Sequence, residues 1–549
     1  MNCATKHICI LFCALYAGIA AAQTPPDAGQ ILQHERKAPE PPRPSPSIVI
    51  PQPAATPLLP GGARVRIKRV QFTRNSVFSS ERLGTVLGNV AGQSLDMAGL
   101  QALARKVTTF YRNHGYPFAT AYLPAQKLAD GVLTITVLEG RYGQVKAKGD
   151  SRLAAHAQRF LSRLKPGEVI ETTSLERSTL ILNDLPGISA APLIRPGQEI
   201  GTGDLIVNVA RKPAFTGELG GDNHGNRFTG EYRARANLQW SSPFIFGDQL
   251  ALTSFLSNEG QWLGNIDYSL PLGVSGLRGR VGYAHTRYEL GKQFKTLNAN
   301  GTVDMVTVGA DYPIIRSQQR NLTLAGDWQH KRLEDKQDAT NTRNNKRSDV
   351  LPLTLRFDLR DGLFGGGLSY GSLTWTAGDL HLDAALKASD VSTARTDGHF
   401  RKWNLDVVRV QSTPLPKLSL YGRFTGQLAN KNLDSSEEFG LGGPYGVRAY
   451  PVGEGFGDEG WLAQVEARYR MGSLAPYLFY DAGRVKINEN TWTSGRNHRS
   501  IAGAGVGLRY SKQAFNIDAS VAWHTGGGRP ISDKKNRNPR GWVTAGWRF

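Results

Sequence analysis

Cysteine is almost missing from this chain: its three cysteines, Cys3, Cys9 and Cys13, all lie within the first 22 residues. If that leader is removed, the mature protein has no thiol and no disulfide, which excludes staple-dependent and thiolate-dependent functions. No apolar run of about eighteen residues follows the N-terminus, so a helical span is excluded and any crossing of a membrane must be made by a closed barrel. Acidic residues are outnumbered, 46 Asp+Glu against 66 Lys+Arg. No zinc spacing, arginine-rich run or RNP-like motif accompanies that balance, so nucleic acid is not the implied partner, and a polar lumen tolerant of arginine accounts for it equally well. Walker, HExxH and GxSxG patterns are also missing. Gly503-x-Gly505-x-Gly507 lies in a strand, where glycine relieves crowding rather than cradling phosphate. These absences predict no catalytic residue, no metal site and no cofactor.

Glycine is plentiful, at 62 residues, and with the tyrosines and tryptophans it suits twisted strands, tight turns and interfacial aromatic girdles. Residues 1–22 carry Lys6, an apolar core from Ile8 to Ala20 and an Ala20-Ala21-Ala22 site, which predict a cleaved secretory signal peptide. Phe12 before Cys13 is too bulky for a lipoprotein anchor. Asp27 to Lys37 predicts a short helix with Asp27 as its N-cap, marginal on its own. Residues 38–63 are rich in proline and read as an extended, semi-rigid tether. A helix on a tether can dock at a distance, or the segment can be a tail without a role; the residues alone leave both open.

Residues 64–141 and 142–212 read as two similar α+β units, each a strand, two helices and two strands. In the first, Leu100, Leu103, Ala104, Val107, Phe110 and Tyr111 form a stripe at helical spacing. Gly115 and Gly187 close the second helix of each unit with a left-handed cap. His114 and His156 are isolated and read as surface or capping residues.

From residue 213 to 549 the pattern is alternation: Leu351, Leu353, Leu355, Phe357 and Leu359 against Pro352, Thr354, Arg356, Asp358 and Arg360. One face repeatedly accepts charge and the other does not, as in a sheet with water on one side and lipid on the other. Sixteen strands are predicted, starting near Phe215, Phe228, Asp248, Trp262, Leu277, Thr302, Asn321, Ser348, Gly367, His399, Lys417, Gly460, Leu474, Ile501, Phe515 and Gly541. The last turns Val543, Ala545, Trp547 and Phe549 outward, and Trp547 with Phe549 is the expected barrel-assembly signal. A long glycine-rich loop, residues 429–459, interrupts this region and carries Val447-Arg448-Ala449-Tyr450. Its length exceeds what a connection needs, so it reads either as functional or as a solvated surface loop. On the strand beyond it, Leu478, Tyr480 and Ala482 face out, so Phe479 and Asp481 face the lumen.

With these parts in place the chain resembles the two-partner secretion transporters, the TpsB family (ShlB/FhaC/HecB-like) of the POTRA-bearing outer-membrane superfamily. The resemblance covers the whole mature chain and rests most specifically on two motifs. The family's Val-Arg-Gly-Tyr/Phe appears as Val447-Arg448-Ala449-Tyr450, with alanine in third place. Its strand motif appears as Phe479-Tyr480-Asp481-Ala482-Gly483. The resemblance implies a sixteen-stranded antiparallel transmembrane β-barrel preceded by a plug helix at residues 23–37 and two periplasmic α+β POTRA domains. It also implies an Arg448–Asp481 pair that holds the loop inside the barrel, with Phe479 stacking on the guanidinium; in a wet lumen that pair would be weakened by screening.

The implied activity is not enzymatic: POTRA domains capture an unfolded TpsA-type exoprotein (adhesin, haemolysin or contact-dependent toxin) by strand addition, and the barrel secretes it. Outer-membrane lipid and the barrel assembly machinery are the other implied partners, and the implied location is the outer membrane of a Gram-negative cell with the POTRA domains in the periplasm. The alternatives are an outer-membrane insertase, against which two POTRA units and a plug argue, and a passive porin, for which periplasmic domains are superfluous.

Overall fold

The computed structural model describes residues 25–34, 38–42, 61, 63–128 and 130–549. The expected signal peptide and most of the proline-rich tether lie outside the described residues. Among the described residues, sixteen antiparallel strands close into a barrel, from Phe215–Asp222 to Arg540–Arg548, which pair with each other at the seam. Closure gives every strand two neighbours and leaves no open edge in lipid.

The alternation expected from sequence sorts the wall residues: Leu351, Leu353, Leu355 and Leu359 are exposed on the outer surface, as are Val543, Trp547 and Phe549. Outward tryptophans Trp262, Trp328, Trp403, Trp461 and Trp523 stand toward the loop-bearing rim, and Phe215, Tyr312, Tyr469 and Trp547 toward the opposite one. Strand starts differ from the sequence reading at two places. The second strand is Arg233–Ser241 rather than beginning near Phe228, and the eighth is Thr342–Asp361 rather than beginning near Ser348. Phe228 is buried in a lumenal cluster with Ile31, Tyr288 and Phe294, an apolar contact that no strand period could reveal.

Two α+β units precede the barrel. In the first, the sheet order is Arg69–Thr73, Val132–Leu138, Thr120–Tyr122, backed by helices Ser80–Leu87 and Met97–Asn113. The stripe expected on the second helix is its core face, with Leu100, Leu103, Ala104, Val107 and Tyr111 buried and Phe110 partly so. The chain enters this unit through two short strands, Val65–Arg66 and Arg69–Thr73, separated where Ile67 turns into the core. The second unit has the sheet order Arg141–Lys148, Thr202–Arg211, Ile188–Pro196. Gly115 and Gly187 take φ of 90° and 76°, where a side chain would be strained. The second unit is fixed to the barrel's entrance by Arg316, which forks onto Asp184 at 2.6 and 2.7 Å, and by Arg177, which donates to Tyr312 Oη at 3.0 Å.

Candidate functional site

Two elements fill the lumen. The first is the helix Ala28–His34, which Asp27 caps by accepting from Gln30 N–H at 2.9 Å. Ala28 and Ile31 are fully buried, and one face of the helix packs on Phe228, Tyr288 and Phe294 of the wall and loops. Its other contacts are polar. Asp27 accepts from Lys346 Nζ at 2.9 Å and from Ser435 Oγ at 2.6 Å, while Ala28 N–H donates to Asp335 at 2.8 Å. Gln33 donates to the Ser436 carbonyl. Gly29 lies so close to Ser435 and Ser436 that a Cβ there would come within 2.2 Å of Ser435 Oγ. Burial raises the Asp27 carboxyl, but Lys346 and Ser435 outweigh it and hold it below the usual range. Burial, reinforced by Arg233, lowers His34 to about 3.

The second element is the lumen loop between the eleventh strand (Leu418–Ala429) and the twelfth (Glu459–Tyr469). It folds inward on three charged anchors. Glu437 receives Lys331 at 2.5 Å and Lys402 at 2.7 Å, and both lysines outweigh the burial that would otherwise raise its pKa. Glu454, fully buried, receives Arg499 at 2.8 Å and the backbone N–H groups of Ile531 and Ser532.

Arg448 is the third anchor. It donates from Nε and Nη2 to the two Asp481 oxygens at 2.8 and 2.7 Å, from Nη1 to Glu466 at 2.6 Å, and from its backbone N–H to Asp481 at 3.1 Å. Its guanidinium carbon lies 3.6 Å from the Phe479 ring centroid. Burial pushes the Arg448 pKa down, but Asp481 and Glu466 more than reverse this and raise it above the ordinary arginine value.

The remaining expected residues gather at the same spot. Val447, Ala449 and Tyr450 are fully buried, and Tyr450 stacks on His524 at 4.3 Å while its hydroxyl donates to the Gly526 and Gly528 carbonyls. The three strand glycines make the socket: a Cβ on Gly503 would meet Ala449 Cβ at 2.4 Å, one on Gly505 Phe479 at 2.4 Å, and one on Gly507 Tyr477 at 2.2 Å. Gly483 likewise leaves room for Leu441. Trp547 and Phe549 lie apart from this cluster, on the outer wall at the seam, where Phe549 and Gly217 exchange backbone hydrogen bonds at 3.0 and 3.1 Å.

The expectation of a screened pair is overturned. Side-chain exposure is 6% for Arg448 and 0% for Asp481, so the pair is dry. The sequence reading also lacked Glu466, which ties Arg448 to Arg468 and Arg509, and Trp542, whose indole donates to the Arg448 carbonyl at 2.7 Å. Both signals were present in the alternation, since Glu466 and Trp542 fall on the inward parity of their strands. Among the described residues, no group of three or more His, Cys, Asp and Glu is arranged to hold a metal.

The geometry of loop, socket and tandem domains has a counterpart in known proteins. Residues 201–510 match the profile of the haemolysin secretion/activation proteins ShlB/FhaC/HecB, and residues 65–140 match the POTRA domain of ShlB type. The chain belongs to the ShlB/FhaC/HecB family. Its first α+β unit is a POTRA domain. Among its relatives, the heme/hemopexin transporter HuxB of Haemophilus influenzae (strain 86-028NP) is 29% identical, across 82% of this chain and 81% of the relative. The hemolysin transporter ShlB of Serratia marcescens is 24% identical, across 85% and 84%. The fold superimposes on CdiB of Escherichia coli with a TM-score of 0.74 at 18% identity, covering 95% of this chain and 96% of the other. As in the family, the barrel is an outer-membrane one and the POTRA domains are periplasmic.

Proposed function

We infer that this ShlB/FhaC/HecB-family barrel is the transporter half of a two-partner secretion pair: it takes an unfolded exported partner from the periplasm at its POTRA domains and passes it through the lumen to the surface. The observation that carries the reading is a lumen filled by one short helix, seated partly by polar contacts that water can replace, and one loop fixed by buried ion pairs, above two domains at the barrel's entrance. The reading assigns no catalytic residue.

The POTRA edges favour one entry point. In the second unit, Gln158 covers the Arg141–Lys148 edge by accepting from Ala147 N–H at 2.7 Å and donating to Val145 O at 3.0 Å. On the Ile188–Pro196 edge, Ala190 N–H is taken by Asn183 at 3.1 Å, and Pro192 and Pro196, on the same parity, have no N–H. In the first unit, Ala121 N–H is taken by Thr108 at 2.8 Å. Arg69–Thr73 is the edge that keeps its donors: Arg69 N–H goes inward to Gly131, so by alternation those of Val70 and Phe72 face out. A cargo strand adding there would be read by backbone hydrogen bonds, and so with little sequence preference.

The test is a strain lacking this protein, complemented with wild type or Val70→Pro, with a candidate exoprotein partner measured in the medium. Secretion should be lost without the transporter and sharply reduced by Val70→Pro at equal barrel levels. Continued secretion by the deletion strain, together with a general fall in outer-membrane barrels, would replace transport with the insertase reading.

A further inference from the structure

The sixth, seventh and eighth strands, Ala299–Arg316, Arg320–Gln337 and Thr342–Asp361, are among the longest in the barrel and stand above the outer tryptophans. In strand register, Arg332 lies directly opposite Arg347, and Arg347 directly opposite His381 of the ninth strand. All three are exposed on the outer wall. Arg332 is four residues beyond Trp328 on its strand, and Arg401, also exposed, is two beyond Trp403 on the tenth. At about 3.4 Å per residue they sit roughly 7 to 14 Å above the aromatic belt, at headgroup level.

Like charges directly opposite on one face of a sheet repel. Higher on the outer wall such a pair is compensated: Lys336 and Arg343, directly opposite each other, share Glu334. In the arginine row the compensation is incomplete: Arg332 Nε donates to His330 Nε2 at 3.3 Å and His381 Nε2 lies 3.8 Å from Asp379, but among the described residues no carboxylate pairs with Arg332 or Arg347. Asp304 stands opposite Arg332 but is occupied by Tyr283 at 2.6 Å and His285 at 2.8 Å. In the row beneath, Asp349 accepts from His330 at 2.9 Å. Among the described residues, Arg347 and Arg401 make no ion pair.

We propose that the outward Arg332–Arg347–His381 row is a docking site for the phosphate of a phosphorylated glycolipid of the outer leaflet, lipopolysaccharide. The planar guanidinium forks of Arg332 and Arg347 suit bidentate phosphate contacts, and an anion between them relieves their repulsion. Trp328 and Trp403 below present apolar faces to the acyl chains. The inference rests on the outer-membrane placement and is independent of the cargo.

The test uses the full mature protein, purified in detergent and stripped of lipid, then titrated with lipopolysaccharide, dephosphorylated lipopolysaccharide or phosphatidylglycerol, with retained lipid read by native mass spectrometry. Wild type should retain lipopolysaccharide at least ten-fold better than either comparison lipid. Arg332→Gln/Arg347→Gln should abolish that preference while remaining heat-modifiable, whereas Arg287→Gln, whose partner Glu289 lies two residues along the same strand, should keep it. Should the double variant not fold, Arg332→Gln and Arg347→Gln singly should each weaken retention several-fold. Unchanged preference in these variants, or equal retention of the dephosphorylated form or of phosphatidylglycerol, would overturn the site.

Discussion

Arg448→Ala and Asp481→Ala offer the sharpest test of the lumen loop, because the pair they break is dry. Removing one partner of a buried ion pair costs about 3–5 kcal/mol, chiefly through the charge left behind. Arg448→Ala leaves Asp481 without a cation, holding only the residue-448 backbone N–H at 3.1 Å and a 3.5 Å contact from Gln464, while Glu466 keeps Arg468 and Arg509. Asp481→Ala leaves the guanidinium on Glu466 alone and strips the Arg448 N–H of its acceptor. At about 1.4 kcal/mol per factor of ten, either change shifts the seating of this part of the loop by roughly 10² to 10⁴. Independent effects would sum to about 6–10 kcal/mol. The double variant has no stranded charge from this pair, so it should cost little more than either single one. The charge swap Arg448→Asp/Asp481→Arg should not rescue, because Glu466 then faces a carboxylate at position 448. Exoprotein in the medium, measured at matched levels of heat-modifiable barrel, reads the outcome. Multiplicative losses in the double variant would mean that the two residues act through separate contacts, and the positioning role of the pair would fall.

Gly503→Ala should cost about 1–3 kcal/mol of loop seating by overpacking Ala449, and adding Ala449→Gly should restore secretion, since only one of the two positions can carry a methyl. Acidifying the bathing solution from pH 7 to 5 should raise conductance in planar bilayers by loosening the plug. The docked His34 pKa of about 3 lies below its free value, so docking is fully favourable above ~6.5 and loses at most about 1.4 kcal/mol per pH unit below it; Asp27, also lowered, adds to the loss only nearer pH 4. Conductance that does not change over this range, or that falls, would remove His34 from the seat. Intact mass of the purified protein should place the N-terminus after Ala22; a mature chain retaining Cys13 would contradict the signal-peptide reading.

The barrel was legible because its wall obeys a period of two: every second residue meets lipid, and charge in the runs from Leu351 or Leu418 falls on the other parity. The motif pair was legible for the same reason, since Leu478 and Tyr480 facing out forces Asp481 inward. What sequence could not supply is the third dimension of the lumen. Dryness around Arg448 comes from Tyr477, Trp542 and Phe479 closing over it from two strands, and no local pattern carries that. Phe228 read as a strand residue because an apolar side chain in a glycine-rich stretch looks alike whether it faces lipid or plug.

Plug and loop also explain each other. Ser435 and Ser436 touch Gly29 and Gln33, Lys346 bridges Asp27 to Asp434, and His34 stacks on Phe456 at 5.6 Å, so the helix rests on both arms of the loop as well as on the wall. Withdrawing the helix would leave Lys346 with Asp434 and free Ser435 and Ser436 to water, at a cost that hydration of short polar groups largely repays. The Arg448 anchor shares no residue with that seat. It would stay dry and paired while the helix leaves, so the lumen can open on one side with the loop still fixed to strands twelve and thirteen. A closure built instead on a large apolar plug face would have to expose that face to water each time it opened, and the cost would rise with every buried methylene.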